Sequence, residues 1–410
     1  MQLTDRPFVP VILGGDVTAY SLARTFHEAF TVKSVVISLR KSGFVSYSAF
    51  IDNRVVPKME ELDTFLATMR ALAGEFSGKK LIILACGDWY VRTIIENRGS
   101  FPDNIVVPYI GLELLDELVL KDKFYEKCAA LGIPYPKTRY FTMDDDPAAL
   151  VDSLDFAYPV IAKPASSAEY HYAEFAGKMK VFKCDTREHL IDTLTRVKAS
   201  SYTYKFILQE FIPGDDTNMR ILTCYCDERS DVQFASFGRV VLEEHGARAI
   251  GNPVVIINDV NAEVVEQATR LLKSVGYTGF ANFDLKYDAR DGVSKFFETN
   301  TRLGRSNFYV TGSGFNVSEW IINDLILHNP LTYTVADKPH VYTLETKRVI
   351  RDYVTDDALF AEIDQLWRGG AVSNPLRYKA DKSFLHRLFY LKFMYNQRRN
   401  YYEQKKHDRY

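Results

Sequence analysis

Gly279-Phe280-Ala281-Asn282-Phe283-Asp284-Leu285-Lys286-Tyr287-Asp288, a short turn, then Lys295-Phe296-Phe297-Glu298-Thr299-Asn300 read together as a β-hairpin whose turn spans 288–292. Side chains alternate across a strand, so Asn282, Asp284 and Lys286 share one face and Phe283, Leu285 and Tyr287 the other. Glu298 and Asn300 share a face of the second strand. Two carboxylates and an amide on neighbouring strands are hard oxygen donors. Mg²⁺ uses such a set when phosphate oxygens complete its shell. Solvated acids on an exposed hairpin would give the same pattern, so the weight of this reading depends on the rest of the chain.

Immediately upstream, residues 261–275 carry Val264, Val265, Ala268, Leu271, Leu272 and Val275 at helical spacing. Further back, Phe206 to Ile212 is an apolar strand closed by Pro213-Gly214, and Pro159 to Pro164 is a short strand interrupted by Lys163. Lys121 to Leu131 reads as a helix ended by Gly132, with Pro134 and Pro136 beyond it. The N-terminal third has a different texture. Apolar runs at 8–13, 35–37 and 81–86 alternate with helical patterns, which implies a mostly parallel open sheet. Two of these runs end in Gly14-Gly15-Asp16 and Gly87-Asp88, at the strand ends where such sheets bind ligands. The G-x-G-x-x-G fingerprint is absent, which excludes a dinucleotide fold of that type, and Asp16 is expected to cap the helix that follows it.

The chain has 410 residues, too many for one core, and its 47% hydrophobic and 25% charged content is that of an ordinary globular protein. A net charge of -2 gives no global case for nucleic acid. The five cysteines lack CxxC spacing and are expected to be free thiols, with Cys224 and Cys226 buried on one strand face. Neither a signal peptide nor an apolar run long enough to span a membrane is evident, so a cytoplasmic location is expected.

Taken in order, these segments resemble the ATP-grasp enzymes. Lys121, with Gly132-Ile133-Pro134 after it, resembles the family's first nucleotide lysine, and Lys163 in Tyr158-Pro159-Val160-Ile161-Ala162-Lys163-Pro164 resembles the second. Gln209-Glu210-Phe211-Ile212-Pro213-Gly214-Asp215-Asp216 is similar to the hinge that holds adenine and ribose. Asp284, Glu298 and Asn300 stand where the family binds magnesium. Longer strings are similar to the D-aspartate ligase branch: residues 10–16, 85–88, 134–138, 211–220, 277–288 and 298–306.

The resemblance implies an α/β protein, α+β in its nucleotide lobes. A Rossmann-like pre-ATP-grasp domain (1–120) would precede two lobes (121–208 and 209–330) with ATP between them, and a C-terminal extension (331–410) would follow. It implies an ADP-forming ligase that uses ATP and Mg²⁺. The carboxylate would be the β-carboxyl of D-aspartate or a similar amino acid, and the acceptor the lysine ε-amine of a peptidoglycan precursor. In the hinge, Gln209 and Glu210 would meet adenine, Ile212 would pack on the base, and Asp216 would accept from the ribose. Gln209 departs from the glutamate usual in the family, and the segment 165–178, with Gly177 its one glycine, departs from the usual phosphate loop. There Ser166 and Ser167 would supply hydroxyls and backbone N–H groups. Arg220, Arg302 and Arg305 are the candidates to hold an oxyanion or a substrate carboxylate, and no base for the attacking amine stands out. Competing readings are a ligase with another acid or amine, a non-catalytic nucleotide-binding regulator, and a scaffold protein.

The last thirty residues are aromatic and basic, and Phe384, Leu385, Leu388, Leu391 and Phe393 roughly fit one helical face, a pattern that a basic amphipathic helix on an anionic membrane surface would also give. A C-terminal helix packed on the body, with a solvated basic end, is expected to leave the protein in solution with anionic vesicles at ~0.15 M salt. No stable membrane insertion is expected.

Overall fold

β1 (Phe8–Leu13), β2 (Ser34–Ser38), β3 (Ile51–Val55), β4 (Lys80–Ala85) and β5 (Ile105–Val106) form a parallel sheet of order β3-β2-β1-β4-β5. Every residue of β1 and β2 is buried, as both-face helix cover requires. The computed structural model behind this description covers residues 5–166, 169–170, 172–245 and 251–407. Asp16 caps helix Val17–Phe30, its carboxylate accepting from the N–H groups of Thr18 at 3.0 Å and Ala19 at 3.3 Å. The preceding Gly14 sits at φ +150°, where a Cβ would lie 2.7 Å from that of Cys86, so only glycine lets the two Gly-Asp turns approach.

The chain divides into two units. One comprises Met1–Leu112, Asp216–Asn282 and Asn300–Tyr410; the other comprises Glu113–Asp215 and Phe283–Thr299. The second unit holds an antiparallel sheet of β6 (Thr138–Phe141), β7 (Val160–Pro164), β8 (Phe182–Cys184) and β9 (Phe206–Glu210), in the order β6-β9-β7-β8. Helix Arg187–Lys198 packs Leu190, Leu194 and Val197 into its core with Val160, Phe182 and Phe206.

The first unit carries β10 (Met219–Cys226), β11 (Val232–Glu243) and β12 (Pro253–Asp259), which pair antiparallel in that order. The hairpin strands β13 (Gly279–Asp288) and β14 (Val293–Asn300) continue this sheet beyond β10. β15 (Thr334–Val335) adds to β11, and β16 (Val341–Thr343) with β17 (Val372–Ser373) extends the sheet beyond β12. At the hairpin turn Gly292 adopts φ +76° and donates its N–H to the Asp288 carbonyl at 2.8 Å. Helix Ala262–Ser274 buries Val264, Val265, Ala268, Leu271 and Leu272, the stripe its spacing predicts. All five cysteines are free and all but Cys86 are buried.

Candidate active site

Lys121 opens helix Lys121–Ala130. Its ammonium lies 3.2 Å from Glu298 of β14, so one phosphate-lysine candidate and one metal-ligand candidate are partners. That positive charge is the first cause of a Glu298 carboxyl held below its usual range. Lys163 is the last residue but one of β7, opposite Ile207 of β9. Its ammonium donates to Gln209 Oε1 at 3.0 Å and stands 5.5 Å from the centroid of the Phe297 ring. Burial, then the neighbouring Lys121 charge, lowers its pKa to about 7, with Glu298 opposing. The other end of the Gln209 amide donates to Thr138 Oγ1 at 3.0 Å. The departure from glutamate thus leaves a neutral side chain with both ends engaged, and it fixes Lys163 without neutralising it.

Glu210 accepts from the Lys137 N–H at 2.9 Å and pairs with Arg290 at 2.9 Å and Lys295 at 3.3 Å. The same two cations hold the fully buried Asp288 at 2.5 and 2.7 Å. The Glu210 carboxylate is therefore part of an ion network joining the hinge to the hairpin turn, a use its position in the sequence does not reveal. Ile212 is buried. Ser166 is buried too; its N–H donates to the Tyr202 hydroxyl at 3.4 Å and its Oγ accepts from the Glu169 N–H at 3.3 Å. Ser167 lies outside the described residues. Asp284 is half-buried on β13, and Asn300 ends β14.

In the first unit, Asp216 Oδ2 accepts from the Glu243 N–H at 2.9 Å and meets His245 Nε2 at 2.8 Å. Arg220 on β10 donates to the carbonyls of Thr217 at 2.6 Å and Met219 at 2.8 Å. Arg302 makes a two-pronged pair with Asp88, at 2.7 and 3.2 Å. Arg305 lies 2.9 Å from Glu244 and 3.8 Å from Asp16. Burial raises the Glu244 carboxyl, and Arg305 opposes that shift. Both Gly-Asp turns thus receive an arginine from the segment after the hairpin. His245 and Glu244 are partners that sequence spacing did not suggest.

Among the described residues no cluster of three or more His, Cys, Asp or Glu side chains forms a metal cage. Asp284, Glu298 and Asn300 offer two carboxylates and an amide oxygen, a donor set that fits Mg²⁺ sharing its shell with phosphate.

The chain is 33% identical over 404 residues to the D-aspartate ligase of Enterococcus faecium (strain Aus0004), covering 96% of each. It belongs to the D-aspartate ligase family. No family model matches the chain. A D-alanine–D-alanine ligase of Acetivibrio thermocellus is 26% identical over 215 residues, 48% of this chain and 53% of the relative. Among solved structures, the biotin carboxylase domain of Hydrogenobacter thermophilus 2-oxoglutarate carboxylase, a complex with MgADP, ADP and bicarbonate, superposes with a TM-score of 0.60. The identity there is 15%, with 82% of this chain and 74% of that one covered, so this likeness speaks for the fold alone. The fold is ATP-grasp, preceded by a Rossmann-like sheet, and the protein is an ATP-grasp carbon–nitrogen ligase.

Proposed function

We propose that the protein joins the β-carboxyl of D-aspartate to the lysine ε-amine of a peptidoglycan precursor, with cleavage of ATP to ADP and phosphate in the cytoplasm. The observation that carries the reading is 33% identity to a D-aspartate ligase over 96% of the chain, joined to the pairing of Lys121 with Glu298. In the first step a carboxylate oxygen attacks the γ-phosphorus, the bond to the β–γ bridging oxygen breaks, and ADP leaves. The remaining acyl phosphate is attacked at carbon by the amine nitrogen. The C–O bond to phosphate then breaks, and the amine's proton passes to solvent.

Lys121 and Lys163 would neutralise phosphate oxygens during the first step, which depends chiefly on positioning and charge. Ser166 and Ser167 would add donors at the phosphates. Gln209 would keep Lys163 aimed, Glu210 would brace the hinge, Ile212 would pack on the base, and Asp216 would take the ribose. Asp284, Glu298 and Asn300 would hold Mg²⁺, which when bound supplies charge neutralisation at the phosphates. Arg302 is largely buried while its partner Asp88 is 69% exposed, so a substrate carboxylate has a fixed guanidinium to compete for. Arg220 and Arg305 would complete the cationic surround of the acyl oxyanion.

The test is phosphate release with ATP, Mg²⁺, a panel of D- and L-amino acids, and a lysine-containing muramyl pentapeptide. ADP and phosphate should appear with D-aspartate and rise with the peptide. AMP and pyrophosphate would overturn the phosphoryl route. Equal rates with L-aspartate would reduce the reading to a ligase of another acid.

A further inference from the structure

Helix Phe384–His407 carries apolar side chains on two sides, and among the described residues one side is packed while the other is exposed. On the inner face, His386 stacks on Tyr20 at 4.6 Å, and Phe389 and Phe393 pack on Phe44 at 4.8 and 5.3 Å. Farther along, the buried Tyr401 donates its hydroxyl to the Glu243 carbonyl at 2.8 Å. The contacts of His386, Phe389 and Phe393 fix which side of the helix's first half faces out; farther on Tyr402 donates its hydroxyl to Asp352 at 2.7 Å. Phe384 (69% exposed), Leu388 (48%), Leu391 (63%) and Tyr395 (67%) follow one another at spacings of four, three and four residues, a single stripe on the outward face. Leu385, 55% exposed, flanks it. At 100° per residue, Arg387 and Arg398 border the stripe on one side and Lys392 and Arg399 on the other. With Lys382 they make five cations; the one acid of the helix is Glu403, 3.5 Å from Arg399. Arg40 and Lys41 are exposed on the loop leading to Phe44, the residue that receives Phe389.

We propose that this outward face docks on an anionic lipid bilayer, with the helix lying in the plane of the headgroups. Apolar side chains would enter the acyl boundary, while the bordering Arg and Lys would reach back to lipid phosphates. The charge pattern selects this occupant. A second copy of the helix would bring cations against cations on both borders, whichever way it ran. The sequence alone spreads Tyr390, Tyr395, Tyr401 and Tyr402 around the helix and so favours a packed segment. The structure accounts for the packing with the inner residues and leaves the stripe over. The helix is not apolar enough to cross a membrane, so the contact is a surface one. This proposal is independent of the substrate reading.

The full-length protein is cosedimented with neutral phosphatidylcholine vesicles and with vesicles holding about 40% phosphatidylglycerol. At ~0.05 M salt the bound fraction should be at least about tenfold higher on the anionic vesicles, and most of it should be lost at ~0.5 M salt. Leu388→Glu with Leu391→Glu should abolish binding, Lys392→Glu with Arg398→Glu should reduce it about tenfold, and both pairs should keep the wild-type circular dichroism and ATP-dependent turnover. The proposal is overturned by a folded protein that stays in the supernatant at low salt, or by equal binding to both vesicle types. Binding that survives the double leucine change also overturns it, as does stripe-dependent self-association or retention on polyglutamate without vesicle binding.

Discussion

Lys163 is the residue at which charge and recognition meet most directly. Its pKa of about 7 arises mainly from burial, so near neutral pH a large share of the molecules carry a neutral amine there. Phosphate oxygens favour the ammonium form, so nucleotide binding on the proposed reading must draw a proton onto Lys163. The sign is set by the lowered value: below about pH 6 the group is already charged and no uptake follows, whereas toward pH 8 uptake grows. Calorimetry of MgADP binding in buffers of different ionisation enthalpy should record that uptake. Lys163→Arg, charged throughout, should remove it while keeping affinity. Uptake unchanged in the arginine variant would assign the proton elsewhere. Glu298 behaves oppositely, since Lys121 keeps it ionised. Glu298→Gln and Asp284→Asn should each lower turnover at least ~100-fold with the circular dichroism unchanged. Near-normal turnover at saturating Mg²⁺ would remove both from the metal site.

At the scale of elements, the hairpin turn and the hinge are held by five charged side chains, the half-exposed Asp291 among them at 3.2 Å from Lys295. Asp288, wholly buried, and Glu210, 9% exposed, share the cations Lys295 and Arg290, and Lys295 is itself 10% exposed. Lys295→Met would leave two buried carboxylates facing the half-exposed Arg290 alone and should lower stability by ~3 kcal/mol at pH 7. Arg290 first, then Lys295, holds the Asp288 carboxyl well below its ordinary 3.8, and Glu210 is lowered from 4.5. Depressed carboxyls stabilise above the unfolded-state values and lose that contribution as pH falls through the folded ones. The difference between wild type and Lys295→Met in urea unfolding should therefore be full at pH 7 and shrink below about pH 4. A difference independent of pH would mean that lost packing, not charge, was measured. The hairpin itself was legible: alternation at 279–288 and 295–300 and a glycine at the turn are local signals, and the second strand starts two residues earlier, at Val293. The network was not, because Glu210 and Lys295 are 85 positions apart and each reads alone as an ordinary surface charge.

Over the whole molecule the chain passes between its two units four times, so neighbours in sequence separate and distant segments meet. Arg302 reaches Asp88 across 214 positions, and no spacing rule links them; the sequence supplied the two Gly-Asp strand ends and the arginines separately. The parallel N-terminal sheet was readable in order, because it rests on local periodicity, and the proposed lysines and metal ligands were named from short strings. On the last helix an apolar face was readable but its exposure was not, because only packing tells which apolar side chains are already covered. The same chain is proposed to run two half-reactions, phosphorylation of a carboxylate and transfer to an amine, and these can be separated chemically. Hydroxylamine is small and largely uncharged at neutral pH, so it can intercept an acyl phosphate without the peptide acceptor's binding contacts. With ATP, Mg²⁺ and D-aspartate but no peptide, hydroxamate should accumulate in step with ADP, and neither should form when the acid is left out. Arg302→Met should lower both products together if that guanidinium holds the acid, since the first step then fails. Peptide-dependent turnover with no trappable hydroxamate at any hydroxylamine concentration would show that no acyl phosphate becomes accessible, and the two-step route would have to be given up.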